Sequence, residues 1–405
     1  MDPQMQAQID NIMAAVKATL EKRERGETLA PLERILLVAT QNDADRIPTG
    51  TFFTDSIANH YSHTCREVES DPELHSNLIM RWYDEFDMEF VCEGIDTMTT
   101  EIDALGLVER KYPENVPADI KIRYFDDLDD KAMLKRWEKA VKAFDPERDG
   151  RLPLRLKLYE LLVQKGAPGG YPVIAAPSAT FAQAVQAMGY KRTVLAMRNT
   201  PEVFHQAMEL QLEANIKWCQ AIAQRGVHGF ICIDAWNAVP NFRKEFLFEF
   251  EKPYVKRLLD ALMPAPCIHF YWGLRLCGAP DANGRGGWIE FLEKSAATGT
   301  FCLTDLAPDY YTAPSDDLDL YRRTAHRLDK SYILGIKDEV LHRGTPAEIW
   351  DEVRRVMKGL YPCDKGCIIV PNNIPLGTPA ENIHAFLDAL HHYGTFPINQ
   401  AILEK

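Results

Sequence analysis

Short apolar runs recur along this chain, separated by longer stretches in which apolar residues return every three to four positions. The runs fall at 46–53 (RIPTGTFF), 88–94 (MEFVCEG), 171–178 (YPVIAAPS), 229–235 (GFICIDA), 266–272 (PCIHFYW), 299–305 (GTFCLTD), 331–338 (SYILGIKD) and 366–372 (GCIIVPN). Their length and β-branched or aromatic content predict strands, and their near-continuous apolarity predicts burial on both faces, as in a parallel sheet. The stretches between them predict helices. In "TPEVFHQAMELQLEANIKWCQAIAQRG", Thr200 is the expected N-cap, Pro201 the first helical residue and Gly226 the stop. "GTPAEIWDEVRRVMKGL" and "TPAENIHAFLDALHHYG" share a Thr-Pro-x-Glu opening, which predicts a capping box at Thr345 and at Thr378.

Eight strands alternating with helices predict an α/β fold, a (β/α)8 TIM barrel over 46–395, behind an N-terminal helical extension (1–45) and before a C-terminal tail (396–405). The alternative, a doubly wound sheet, would carry a glycine-rich phosphate turn, and neither GxGxxG nor GxxxxGK[ST] is present. The connection over about 95–170 is too long for one helix, so an insert between strands 2 and 3 is expected. Its charged stretch "YFDDLDDKAMLKRWEKAVKAFDPERDGRLP" suits a lid or cap beside the barrel mouth.

Composition narrows the function classes. The chain has 405 residues, with 59 acidic against 46 basic and a net charge of −13, which repels phosphate. Nucleic acid and anionic membrane are therefore not expected partners. No apolar run approaches the roughly 18 residues of a membrane span, and the polar, amphipathic N-terminus has no signal-peptide core, which predicts a cytoplasmic protein. Nine dispersed cysteines, several within apolar runs, predict reduced thiols. Cys363 and Cys367 are spaced too widely for a redox CxxC and lack a second pair for zinc.

In a barrel the chemistry sits at the C-terminal ends of the strands. That rule selects Ser178, Asp234, His269, Tyr271, Asp305, Lys337, Asn372 and Asn373, with Trp236 and Trp272 as apolar walls. Asp234 and Asp305 suit helix or turn capping as well as metal binding or proton transfer. Ser178 and the Asn372–Asn373 pair suit turns as well as substrate contacts, and Lys337 suits either an anion or solvent. His269 stands out, because an imidazole beside Phe270 and Trp272 is expensive unless its nitrogens are used.

These residues, with "GYPVIAAPSATFAQAV", "KEFLFEFEKPYVKRLLDAL" and "GCIIVPNNIPLGTPAENIHAFLDAL", make the chain resemble the uroporphyrinogen decarboxylase superfamily from about 46 to 395. That group of barrels includes corrinoid-dependent methyltransferases. The resemblance implies an active site at the mouth and, commonly, a homodimer. The sequence departs from both main branches. The decarboxylases open with an arginine-bearing loop, whereas "DRIPTGTFFTDSIANHY" holds the single arginine Arg46, and Asn372 stands at their final-loop histidine. The thiol methyltransferases hold zinc through His-x-Cys and a later Cys. Here His269 matches, but Tyr271 and Asn372 replace the cysteines, so the standard zinc triad is not expected, with His269 a candidate ligand and Cys302, Asp234 or Asp305 able to rebuild a site.

The expectation that follows is a methyltransferase. It moves a methyl group between a small, apolar or aromatic substrate and cobalamin on a separate corrinoid protein. His269, Asp234 and Tyr271 are the catalytic candidates, and Ser178, Trp236, Trp272, Asp305, Lys337, Asn372 and Asn373 bind substrate. Two alternatives stand beside it: a metal-independent decarboxylase of a smaller acid held by Lys337 or Arg275, and a barrel that has lost its ligands and only binds.

Overall fold

The computed structural model describes residues 3–52, 55–93, 99–234, 241–271, 274–305, 315–371 and 373–405. Eight parallel strands lie inside the eight apolar runs. They are β1 (Gly50–Thr51), β2 (Phe90–Val91), β5 (Ile174–Ala175), β6 (Gly229–Ile233), β7 (Cys267–Phe270), β8 (Cys302–Asp305), β9 (Ser331–Ile336) and β10 (Cys367–Pro371). β1 pairs with β2, β5 with β6 with β7, and β8 with β9 with β10, all in parallel. Among the described residues, backbone hydrogen bonds link the groups: Phe301 N to Cys267 O (3.2 Å) between β7 and β8, and Ile369 N to Pro48 O (3.3 Å) between β10 and β1. Between β2 and β5 a side chain intervenes, with Ala176 N donating to Glu93 Oε1 (3.3 Å).

The side-chain alternation of these strands sorts the core into two layers. Phe52, Phe90, Ile231, Phe270, Ile333 and Val370 form an inner cluster among the strands. Their neighbours in sequence or register, such as Phe230, Cys232, Leu303, Leu334 and Ile369, pack outward in a larger cluster with the helices. Burial on both faces is why these strands read as continuous apolar runs.

The helices follow their local signals with two exceptions. Pro201 opens the helix Pro201–Ala223, but the Thr200 side chain makes no capping hydrogen bond. Thr345 forms the expected box with Glu348 before Pro346–Leu360. Thr378, with the same local sequence, does not, because its hydroxyl donates to Pro375 O (2.8 Å) and meets His342 Nδ1 (3.1 Å). The 95–170 segment contains the helix Thr100–Ala104, an antiparallel hairpin of β3 (Val108–Lys111) and β4 (Asp119–Arg123), and the helices Asp130–Ala143 and Leu152–Gly166. The N-terminal region folds as Pro3–Glu24 and Pro31–Ala39. Near the chain's end Leu403 is buried. No helix among the described residues is long and apolar enough to cross a membrane. The nine cysteines are thiols, all but Cys277 buried.

A charged clamp ties the N-terminal ends of β1 and β2 to the first helices. Glu89 is fully buried and accepts from Arg34 Nη1 (3.2 Å), Arg46 Nε (3.2 Å), Arg46 Nη2 (2.8 Å) and the Thr49 amide (2.7 Å). Arg34 grips Asp45 with two further bonds (2.6 and 2.9 Å), and Arg46 reaches Asp87 (2.7 Å).

Candidate functional site

The alternation that layers the core also divides the candidate residues. His269 follows Cys267 and precedes Tyr271 on the outward face of β7, while Ile268 and Phe270 face the inner cluster. Asp234 continues the outward parity of Phe230 and Cys232 at the end of β6, and Cys232 is the register partner of His269. Asp305 shares the outward parity of Leu303 on β8. By the same count Ser178 and Lys337 continue the inward rows of Ile174 on β5 and Ile333 on β9. The candidate residues therefore form two groups, one toward the helices and one toward the space between the strands.

The outward group closes on a residue that sequence reasoning missed. Glu251 lies between the helices Lys244–Phe250 and Lys252–Leu262, where Pro253 interrupts one long run of helical period. Asp234, Glu251 and His269 are all fully buried, with a donor atom of each within 4.8 Å of the others. His269 Nε2 is 2.8 Å from Glu251 Oε1 and 3.8 Å from Asp234 Oδ2. The short contact lacks hydrogen-bond angles: neither His269 nitrogen and neither Asp234 oxygen has a hydrogen-bond partner. Lys252 Nζ stands 3.1 Å from Glu251 Oε2 and over the rings of Phe291 (4.1 Å) and Tyr271 (5.1 Å). Burial raises the Asp234 pKa, with the Glu251 charge adding to it, although His269 and Lys252 oppose. Burial works the same way on Glu251, but the adjacent Lys252 and His269 outweigh it and hold that carboxyl low. Of the two carboxylates, Glu251 is the more firmly ionised.

Tyr271 is buried beside this cluster, its ring 5.5 Å from His269 and 5.1 Å from Phe291. Its phenol oxygen accepts from Thr304 N (3.4 Å), and burial pushes its pKa well up. It therefore packs β7 against β8 rather than standing as a second metal ligand.

A second polar group surrounds Ser178. The Ser178 amide donates to Glu101 Oε1 (3.4 Å), and its carbonyl accepts from Asn215 Nδ2 (2.8 Å). Gln211 bridges Asn215 (2.9 Å) and Gln183 (2.7 Å). Glu93, just after β2, accepts from Arg155 Nη2 (2.6 Å) and from the Tyr159 hydroxyl. Burial pushes Glu101 up to about 7, against the field of Arg155. Glu93 and Glu101 were also missed, and their place beside a glycine and two threonines carries no sharper signal. Asp305 is buried at the end of β8, and Lys337 is half-buried directly before the helix Asp338–Arg343. The Asn373 amide donates to Asp338 Oδ1 (3.0 Å). Trp236, Trp272 and Asn372, and the side chain of Arg275, lie outside the described residues.

With the geometry in place, comparison with known proteins settles the lineage. The family model described as uroporphyrinogen decarboxylase (URO-D) matches residues 30–393. The chain belongs to the uroporphyrinogen decarboxylase family. Curated family members include the uroporphyrinogen decarboxylase of Thermodesulfovibrio yellowstonii, 24% identical over 194 residues (48% of this chain, 49% of that one). The enzyme of the same name from Anaeromyxobacter dehalogenans is 22% identical over 246 residues (61% and 63%). The chain thus spans about half the length of the first relative and under two thirds of the second. Among solved structures, a methyltransferase from Methanosarcina mazei superposes with a TM-score of 0.72 at 15% identity, covering 90% of this chain and 99% of that one. That likeness is one of fold. Within the family fold, the zinc set implied by the thiol methyltransferases does not fit here, since Tyr271 is committed to Thr304, whereas Asp234, Glu251 and His269 converge.

Proposed function

We propose that this chain is an enzyme of methyl-transfer type. It moves a methyl group between a small substrate and cobalamin on a separate corrinoid protein, and it works from a closed (β/α)8 barrel formed by the eight parallel strands. The observation that carries this reading is the fate of Arg46. The opening segment's single arginine is spent on Glu89 and Asp87 at the N-terminal ends of the strands. A porphyrinogen with many carboxylates needs several cations at the mouth. Arg46 is not one of them, which argues against decarboxylation of uroporphyrinogen itself. The fold shared with a methyltransferase over nearly its whole length supports the same direction.

Methyl transfer breaks the bond from the methyl carbon to a heteroatom, and the electron pair leaves with that heteroatom. The protein's part is to align donor and acceptor and to meet the departing charge with a proton or a cation. The inward-facing Ser178 and Lys337 suit contact with a substrate between the strand ends. Asp234, Glu251 and His269 lie behind β6 and β7 and suit control of charge there.

The test mixes the purified chain with reduced cobalamin and a panel of methyl ethers, thioethers and methylamines, followed by visible spectroscopy. Growth of the methylcobalamin spectrum with one donor class is the expected result. Absence of any change, together with carbon dioxide release from a small carboxylic acid, would replace it with decarboxylation, which the two curated relatives keep as the second reading.

A further inference from the structure

We infer that Asp234, Glu251 and His269 form a binding site for one divalent first-row transition-metal ion, zinc foremost, between strands β6 and β7 and the helix Lys252–Leu262. The ligand set differs from the His-Cys-Cys set of the thiol methyltransferases and shares only the histidine with it.

Three observations carry the inference. The first is distance. An ion with bonds of about 2.1 Å in a tetrahedral site separates neighbouring ligand atoms by about 3.4 Å. The measured edges of 2.8 and 3.8 Å from His269 Nε2 lie on either side of that value. The second is orientation. At 2.8 Å from Glu251, His269 Nε2 still makes no hydrogen bond, and both Asp234 oxygens are likewise without one, although both residues are fully buried. Buried polar atoms normally find partners, and atoms that approach closely while aiming past each other are arranged as ligands around a shared point.

The third is charge and donor type. Two carboxylates face one ammonium, Lys252, which lies against Glu251. A divalent ion held by Asp234, Glu251 and neutral His269 converts that surplus negative charge into a single positive one, leaving room for an anionic oxygen as fourth ligand. One nitrogen and two oxygens select zinc and its neighbours over calcium or magnesium, which prefer oxygen alone. The metal site stands apart from the methyl-transfer reading.

The test uses the full chain, stripped with a chelator, dialysed and reloaded with zinc, with metal content measured by mass spectrometry. About one zinc per chain is expected. Asp234→Asn, Glu251→Gln and His269→Gln should each weaken zinc binding by at least about tenfold while keeping the circular dichroism of the stripped wild type. Loading the wild type with cobalt(II) needs no variant. It should give a visible ligand-field band without the near-ultraviolet charge-transfer band of a thiolate. Uptake well below stoichiometric, unchanged uptake in folded Asp234→Asn, or a thiolate band would each overturn the site. Stoichiometric zinc without methyl transfer would keep the site and remove the proposed function.

Discussion

Two buried glutamates, Glu89 and Glu251, show opposite ways of holding charge inside this protein. Around Glu89, at the N-terminal ends of β1 and β2, two guanidinium groups and a backbone amide answer the carboxylate, and Asp45 and Asp87 answer the guanidinium groups in turn. Around Glu251, at the C-terminal ends of β6 and β7, Asp234 and His269 keep four buried polar atoms without hydrogen bonds. Each such atom costs about 1–3 kcal/mol. In a protein of ordinary stability that cost is retained where something other than stability depends on it. The general rule for parallel α/β sheets points the same way, since ligands bind outside the carboxyl ends of the strands.

The contrast breaks most visibly at Glu89. Removing one partner of a buried ion network leaves the others uncompensated, at about 3–5 kcal/mol. Glu89→Ala removes the carboxylate that Arg34 and Arg46 share and leaves each with one aspartate, so the variant should unfold at much lower urea, with a midpoint shift that tracks a loss of that size. A shift of less than about 1 kcal/mol would mean that the clamp is not structural.

Next in size is a pH effect on the opposite side of the comparison. Glu101 holds its proton in the fold up to about 7, whereas 4.5 is its ordinary value. Its folded pKa is raised, so its contribution is full below about pH 4.5 and is lost as pH rises toward 7. Over that window stability should fall by roughly 3 kcal/mol. Urea midpoints from pH 4.5 to 7.5 in wild type and Glu101→Gln check this, and the glutamine variant should lose that part of the slope. Equal slopes in the two proteins would show that Glu101 titrates as an ordinary glutamate.

How much of this was legible in the sequence differs by region, for physical reasons. The eight strands announced themselves because burial on both faces writes continuous apolar runs. The β3–β4 hairpin did not, because its strands are short and polar, β4 is largely exposed, and its connection carries Pro113 and Pro117. Asp234 and His269 were named from their places at strand ends. Glu251 was not, since it sits inside what reads as one helical stretch, and the mark of its special place is the break before Pro253. The inward and outward division of the candidates follows from a period of two that was present in the sequence, but it needed the observed register to anchor it. Thr345 and Thr378 share a local sequence and differ in outcome because His342 and Pro375 claim the second hydroxyl. Such a partner comes from the fold and cannot be read locally.

A smaller expected effect sharpens the account of the C-terminal strand ends. In metal-stripped protein, Asp234→Asn removes a buried charge from beside Glu251 and supplies an amide donor in its place. The variant should gain about 1 kcal/mol in urea unfolding. A clear loss would mean that the Asp234 carboxylate is stabilising as it stands and that the two ends of the strands do not differ in kind.

The smallest effect tests the residue on which the functional reading turns. Arg46→Lys keeps the positive charge but loses the fork that spans Glu89 and Asp87. Asp87 is 63% exposed, so that arm contributes little, and most of the loss comes from the bonds to Glu89. We expect about 1 kcal/mol of destabilisation with no change in KM for whichever substrate is found. An arginine that gripped a substrate carboxylate would give the reverse pattern, with KM raised several-fold at unchanged stability. Measuring urea unfolding and KM on the same variant separates the two roles, because a clamp acts on the folding equilibrium and a substrate ligand acts on binding.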